Sequence, residues 1–330
     1  MKRLAAVSWL FALSSSAADA QARPRVDYHQ HLFSPPTAEL ISGGGRAVKP
    51  ILARDLVALL DSAGIERAVV LSMGYTWGSP NRTVENEYEK VRAENDWTSR
   101  QVAEFPDRLV GFCSFNPIRA YAVDELARCA ADPRLRAGLK LHFANSVVDL
   151  HDSRHLDQLR RVFGAANEQR MPIVVHLRSS ISRRLPYGRD EARIFLDSVL
   201  PSAPDVAVQI AHLAGAGGYD DPTTDEALSV FVSAIAARDP RVRRVYFDVT
   251  TAVGLGAAMP EVQAALIARR VRQLGVERVL FGSDAATPPN LAPREAWAAF
   301  RRLPLTEAEF TTIANNVAPW MLSRGAGRAP

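Results

Sequence analysis

Residues 156–176 read Leu156-Asp-Gln-Leu-Arg-Arg-Val-Phe-Gly-Ala-Ala-Asn-Glu-Gln-Arg-Met-Pro-Ile-Val-Val-His176. The first part, Leu156–Glu168, spaces its apolar residues as one face of a helix. The Met-Pro pair interrupts that pattern, and Ile173–His176 follows as a short β-branched run that ends on a histidine. This stretch is one helix–strand unit, and the same alternation recurs along the chain. Apolar or β-branched runs occur at Arg25–His29, Ala68–Ser72, Leu109–Phe115, Gly138–His142, Ile173–His176, Val206–His212, Val245–Val249 and Val279–Gly282. Their starts lie 29 to 43 residues apart, the size of a βα unit. Amphipathic segments stand between them: Ala53–Ser62, Asn81–Glu104, Leu156–Glu168, Asp225–Arg238 and Val262–Gln273. Eight such units with no Pro- or Gly-rich linker between Arg25 and Arg324 predict a single α/β (β/α)8 TIM barrel rather than an open parallel sheet.

That fold is a filter for function, because its active sites lie at the C-terminal ends of the strands. The chain has seven histidines. His29 and His31 end the first run, in Val26-Asp-Tyr-His-Gln-His31, and alternate residues of a strand share a face. His142 ends the fourth run, two residues after Lys140; His176 ends the fifth, His212 the sixth, and Asp284 follows the eighth in Arg278-Val-Leu-Phe-Gly-Ser-Asp284. Imidazole nitrogens plus a carboxylate suit a divalent transition metal that keeps a position open for water or substrate. His29, His31, His176 and Asp284 supply that set, with His212 beside it. His151 and His155 read as exposed.

The bulk composition narrows the partners. A net charge of +4 with scattered basic residues does not indicate a nucleic-acid or membrane-surface partner, so a small-molecule substrate is expected, with a homo-oligomer possible. Met1–Ala20 has the basic start, short apolar core and Ala-x-Ala end of a cleaved export signal, too short to span a bilayer. Residues 21–330 then form the barrel domain, in the periplasm or secreted. Cys113 and Cys129, on a core strand and a helix, are expected as buried free thiols in preference to a disulfide.

With these residues in place, the chain resembles the amidohydrolase superfamily, and within it the TIM-barrel branch that includes aminocarboxymuconate semialdehyde decarboxylase and the pyrone-dicarboxylate lactonases. The resemblance runs through Ala93–Pro117 (AENDWTSRQVAEFPDRLVGFCSFNP), GLKLH, PIVVH, AHLAG, RVLFGSD and the closing IANNVAPWM. It implies one metal, Zn, on His29, His31, His176 and Asp284. It also implies Asp284 as the proton acceptor from an activated water, and His212 as the group that polarises the carbonyl or orients that water. The implied activity is hydrolysis of an ester, lactone or amide. Non-oxidative decarboxylation on the same site is the alternative, and an inactive barrel serving as a periplasmic binding protein is a third reading.

Lys140 stands out because the chain has 36 Arg and only four Lys. A neutral lysine amine can form a carbamate bridging two metals, as in other amidohydrolases, whereas Arg stays protonated. The alternative is a barrel-lining ammonium that binds a substrate carboxylate or pairs with Asp248; the one-metal site is preferred. Lys140 and His142 are thus candidates for a second metal or for substrate. Around them, Leu32–Pro50 with its three glycines suits a lid, Tyr75 and Trp77 follow the second strand, and Arg178, Arg183, Arg184 and Arg189 follow the fifth. Aromatic walls with an Arg clamp, for which Arg178 is the candidate, suit a small carboxylated molecule.

Overall fold

The computed structural model describes residues 22–42, 47–219, 221–250, 252, 259–284 and 292–322. The expected export signal and the three glycines of the expected lid lie outside them. Eight parallel strands follow one another in a single sheet: β1 Val26–Gln30, β2 Arg67–Leu71, β3 Leu109–Ser114, β4 Leu139–His142, β5 Ile173–His176, β6 Val208–Ile210, β7 Val245–Asp248 and β8 Val279–Leu280. The Tyr28 N–H donates to the Phe281 carbonyl and the Asp284 N–H to the His29 carbonyl, which brings the end of β8 onto β1. The expected (β/α)8 barrel is therefore the observed fold.

Each strand is followed by an outer helix: α1 Ala53–Ala63, α2 Glu87–Glu104, α3 Ala122–Ala131, α4 Ser153–Glu168, α5 Arg189–Ile194, α6 Pro222–Ala236, α7 Glu261–Leu274 and α8 Pro293–Phe300. Strand residues alternate between two apolar layers. Val70, Cys113, Leu139, Ile173, Val208 and Phe247 face the helices, while Val69, Leu71, Val110, Phe112, Val174 and Leu280 fill the barrel floor. The closing IANNVAPWM segment plugs that floor. Trp320 packs edge-on against Tyr28 and Tyr246, and the Tyr28 hydroxyl accepts from the Ala318 N–H at 2.6 Å. Asn95, in the AENDW segment, clasps β3 by donating to the Ser114 carbonyl at 2.9 Å and accepting from its N–H at 3.1 Å.

Two expectations change. Cys113 and Cys129 are not free thiols but a disulfide, with Cα atoms 6.1 Å apart. Cys113 lies on the helix-facing side of β3, and Cys129 lies on the buried face of α3, which packs there. A strand and its own helix bring the two together, which separate burial arguments do not reveal. The helix expected over Asn81–Glu104 begins only at Glu87. Before it, Gly74–Trp77 forms one helical turn and residues 78–86 an irregular loop that ends at Asn86 with φ 52°. Pro80 and the left-handed Asn86 prevent continuous helix there. The start of the expected lid also holds a short helix, Pro35–Ile41, capped by the Ser34 hydroxyl.

Candidate metal centre

His29 and His31 reach the barrel mouth through an irregularity. Val26 and Tyr28 already point into the floor, so strict alternation would turn His29 outward. The register between β1 and β2 shifts between Asp27 and Gln30, and this bulge re-aims His29 and His31 inward. Buried Asp27 fastens it, accepting from the His29 N–H, Gln30 Nε2 and the Ser283 hydroxyl and N–H. Burial pushes the Asp27 carboxyl up to about 6 despite those donors. Gly282 allows the β8 end to press in, since a Cβ there would lie 2.3 Å from Thr250 Oγ1 and 2.7 Å from His29 Cβ.

The other strand ends converge on the same place. His142 and His176 are register partners on β4 and β5, and their rings stack at 3.9 Å. His212 and Asp284 follow β6 and β8 in left-handed backbone, with φ of 56° and 53°. Such conformations cost non-glycine residues roughly 1–2 kcal/mol and concentrate at functional sites. They are held by the Asp284 N–H on the His29 carbonyl and the His212 N–H on Asp248 Oδ1 at 2.9 Å. His29, His31, Lys140, His142, His176, His212 and Asp284 line one cavity of about 300 Å³, with Tyr75, Met73, Phe33, Arg82 and Asn145 among its walls.

Hydrogen bonds decide which imidazole nitrogen can bind a metal. The His29 Nδ1–H donates to Asp248 Oδ2 at 3.0 Å, the His31 Nδ1–H to the Leu71 carbonyl at 2.7 Å, and the His212 Nδ1–H to the Thr250 carbonyl at 3.1 Å. A carbonyl or ionised carboxylate can only accept, so in each ring Nε2 is left as the unprotonated nitrogen. The nearest ligand atoms of His29, His212 and Asp284 lie within 4.8 Å of one another. His31 Nε2 lies 3.6 Å from Asp284 Oδ1. Both ring nitrogens of His176 are buried without a partner among the described residues, as fits a metal ligand. His142 differs: its Nδ1 accepts from the Asn145 N–H at 3.2 Å, so in the neutral ring Nε2 carries the proton. The residues present thus fit a metal, and His212, placed beside the ion by sequence, stands within ligand reach.

Electrostatics agree with neutral ligands. Burial drives His31 down to about 3 and His212 to about 4, and takes His142 and His176 well below 6.5. For Asp284, burial alone would raise the pKa, but His29, His212, His31 and Lys140 outweigh it and keep the carboxylate ionised. Asp248 is held well below the usual carboxylate range, its burial opposed by His29, His212 and its own hydrogen bonds. Burial lowers Lys140 to about 8, and its Nζ lies 3.2 Å from His29 Nε2. That lone pair can serve the amine or a metal, not both.

The remaining expected substrate contacts separate. Tyr75 lines the cavity and packs on His142 at 4.8 Å. Trp77 is turned away, its indole N–H on Thr37 Oγ1 and Lys90 over its ring. Arg178 is tied to Asp221 at 2.9 Å and lies over Tyr187, outside the cavity lining. Arg183 and Arg189 are likewise not wall residues, whereas Arg82 is. His151 pairs with Glu191 on the surface.

The amidohydrolase family's sequence profile matches residues 26–316. The chain belongs to that family. Among solved structures, this amidohydrolase is similar to 5-carboxyvanillate decarboxylase from Sphingomonas paucimobilis, at 17% identity over 91% of this chain and 99% of that one, with a TM-score of 0.63. It is similar to a 2,6-dihydroxybenzoate decarboxylase in complex with 2,6-dihydroxybenzoate, at 16% identity over 92% and 100%, with a TM-score of 0.64. It also resembles a probable 2-pyrone-4,6-dicarboxylic acid hydrolase from Acinetobacter baumannii, at 17% identity over 88% and 96%, with a TM-score of 0.56. At these identities the likeness is one of fold. No curated protein sequence matches. The family makes this chain a metal-dependent enzyme, and no described helix is long and apolar enough to cross a membrane.

Proposed function

We propose that this amidohydrolase cleaves a small carboxylated ester, lactone or amide, using one Zn held by His29, His31, His176 and Asp284, with His212 at the ion's edge. The observation that carries the reading is the contrast among the ligands. The His29 and His31 side chains are 1% and 4% exposed, whereas the ionised Asp284 carboxylate is 23% exposed and faces the cavity. A bound divalent metal supplies Lewis acidity and lowers the pKa of water toward about 7. Asp284 then takes the proton and delivers it to the leaving group. His212 Nε2, an acceptor, orients the water. The His142 Nε2–H, a donor into the same cavity, faces the charge developing on the substrate oxygen. Lys140 serves the site as an ammonium that yields His29 Nε2 to the metal. Elemental analysis tests the metal set: about one ion per chain, lost in His29→Ala and His176→Ala, is expected. Two ions, with one lost in Lys140→Ala, would overturn the mononuclear reading.

A second reading, decarboxylation, is supported by the similarity to two enzymes whose names describe decarboxylation of aromatic acids. In that reaction the bond between the ring carbon and its carboxylate would break, carbon dioxide would leave, and Asp284, ionised at rest, would relay a proton from water to the carbon. A panel of lactones, esters, amides and hydroxybenzoates decides, with acid release read in one arm and carbon dioxide in the other.

We further propose export, with the mature chain starting at Gln21. The N-terminal pattern supports it, and so does the Cys113–Cys129 pairing, because disulfides persist in oxidising compartments. N-terminal sequencing of the exported protein tests it; an intact Met1–Ala20 on that protein would overturn it.

A further inference from the structure

Two residues that line the same cavity as the metal ligands carry polar groups that the chemistry above does not use. Arg82 Nη1 and Asn145 Oδ1 are both buried, both without a hydrogen-bond partner among the described residues, and both on residues that line the cavity. A buried donor left unpaired is destabilising, and more so when it is charged. A guanidinium so placed is built for a bound anion. Its backbone is fixed. The Arg82 N–H donates to the Ser79 carbonyl at 3.1 Å, while the Ser79 hydroxyl donates to the Asn145 carbonyl at 2.8 Å. The Asn145 N–H in turn donates to His142 Nδ1. One chain of contacts thus sets Arg82, Asn145 and the donor face of His142 relative to each other. Arg183 Nε, donating to Asn81 Oδ1 at 2.6 Å, braces the same loop from the β5 side.

We propose that Arg82 is the specificity-determining residue of this enzyme. It grips a carboxylate carried by the substrate remote from the reacting group, with Asn145 accepting from a hydroxyl or amide N–H next to that carboxylate. This deepens the proposed function and rests on its choice of site. The cavity lining includes an aromatic pair, Tyr75 tilted on His142 at 4.8 Å, so the body of the substrate is a planar ring. A cavity of about 300 Å³ admits one such ring with its substituents. The role falls to Arg82 and not Arg178, whose guanidinium is already paired with Asp221.

The test is calorimetric binding of isophthalate and of 3-carbamoylbenzoate, which keeps the shape and removes one charge, to the metal-loaded full chain. The parent should prefer isophthalate by about tenfold or more, the range of a charge-assisted hydrogen bond. Arg82→Gln should erase that preference, and Arg82→Lys should keep part of it, since the ammonium retains charge but not the fork. Circular dichroism confirms folding of each variant. A parent without the preference, or an Arg82→Gln protein that keeps it, overturns the proposal. Phenylphosphonate bound more tightly than benzoate, with the same Arg82 dependence, would overturn the carboxylate assignment. Binding needs no turnover. A protein that binds isophthalate through Arg82 but hydrolyses nothing in the panel refutes the hydrolase and leaves Arg82 standing.

Discussion

Asp248→Asn is the substitution from which most can be worked out. The carboxylate is fully buried at the end of β7 and accepts four donors. Oδ2 takes the His29 Nδ1–H at 3.0 Å and Gln209 Nε2 at 2.7 Å; Oδ1 takes the His212 N–H at 2.9 Å and the Thr250 N–H at 3.2 Å. Asparagine offers one oxygen and one NH2. If its oxygen keeps the two backbone N–H groups, its NH2 faces the His29 and Gln209 donors. His29 then relieves the clash by moving its proton to Nε2, the nitrogen needed for metal. If the amide is flipped, both backbone donors are orphaned and the left-handed turn at His212 loses its anchor. Either way one or more buried donors go unpaired, a loss of about 1–3 kcal/mol. Metal affinity should fall 10–100-fold, the usual cost of losing the group that orients a ligating histidine.

The assay is competition with a chromogenic chelator for Zn affinity, a melting curve for stability, and imidazole NMR for the His29 tautomer. Because Asp248 ionises well below the ordinary carboxylate range, the stability its charge contributes is present above 3.8 and is lost only as pH falls through the lower folded value. The gap in melting temperature between parent and variant should therefore stay flat from about pH 5 to about pH 8. A variant whose Zn affinity lies within about twofold of the parent's, with His29 still protonated on Nδ1, refutes the claim that Asp248 sets this ligand.

Three further outcomes are expected. Asp284→Asn should cut turnover by about 10²-fold or more, the contribution of a positioned base, while His142→Phe should slow turnover with metal content unchanged, as metal analysis beside steady-state kinetics will read. The double variant Cys113→Ala/Cys129→Ala should lose about 2–4 kcal/mol in denaturant unfolding, because the bridge closes a loop of 16 residues in the unfolded chain. Metal-free protein should lose stability as pH falls from 6.5 toward 4, because His31, His212, His142 and His176 are held neutral by burial and take up protons only on unfolding. Asp27 and Glu94, whose carboxyls burial raises, offset part of this, and a melting series in chelator that rises over that interval would contradict the assignment.

The eight-unit period was legible because each βα unit repeats a local rule, apolar alternation then helical spacing, and the barrel is that rule iterated. The strand-end histidines were legible for the same reason, since fold and position together place them around one cavity. The parts that stayed hidden depend on pairs distant in sequence. Asp248 entered the sequence reading only as an alternative partner for Lys140; its bond to His29 joins residues 219 positions apart. The disulfide required knowing which face of α3 meets β3. Arg82 was concealed by extending the following helix back to Asn81. The Pro80 before it and the Asn86 after it were the available signal that the segment is a loop, in the same βα connection already singled out for Tyr75.

The irregular backbone is also where the site differs from its scaffold. A regular barrel would present Tyr28, Leu71, Phe112, Val174 and Leu280 inward and stop, giving an apolar plug. Three departures convert the top of that plug into a polar cup: the bulge after Asp27, the left-handed turn at His212 and the left-handed Asp284. Each is held by a buried acceptor: Asp27 within β1 for the bulge, Asp248 on β7 for His212, and the His29 carbonyl of β1 for Asp284. Because these three anchors join β1 to β7 and β8, the seam where the sheet closes is also where the ligands are set. Loosening of that seam should therefore be felt at the metal before it is felt in the fold, which separates variants of Asp27 and Asp248 from equally buried residues of the floor such as Phe112. Phe112→Leu should lower the melting temperature with Zn affinity unchanged, whereas Asp27→Asn should weaken Zn binding at a smaller cost in melting temperature. Equal effects of the two variants on Zn affinity would show that the site depends on overall stability and not on the seam.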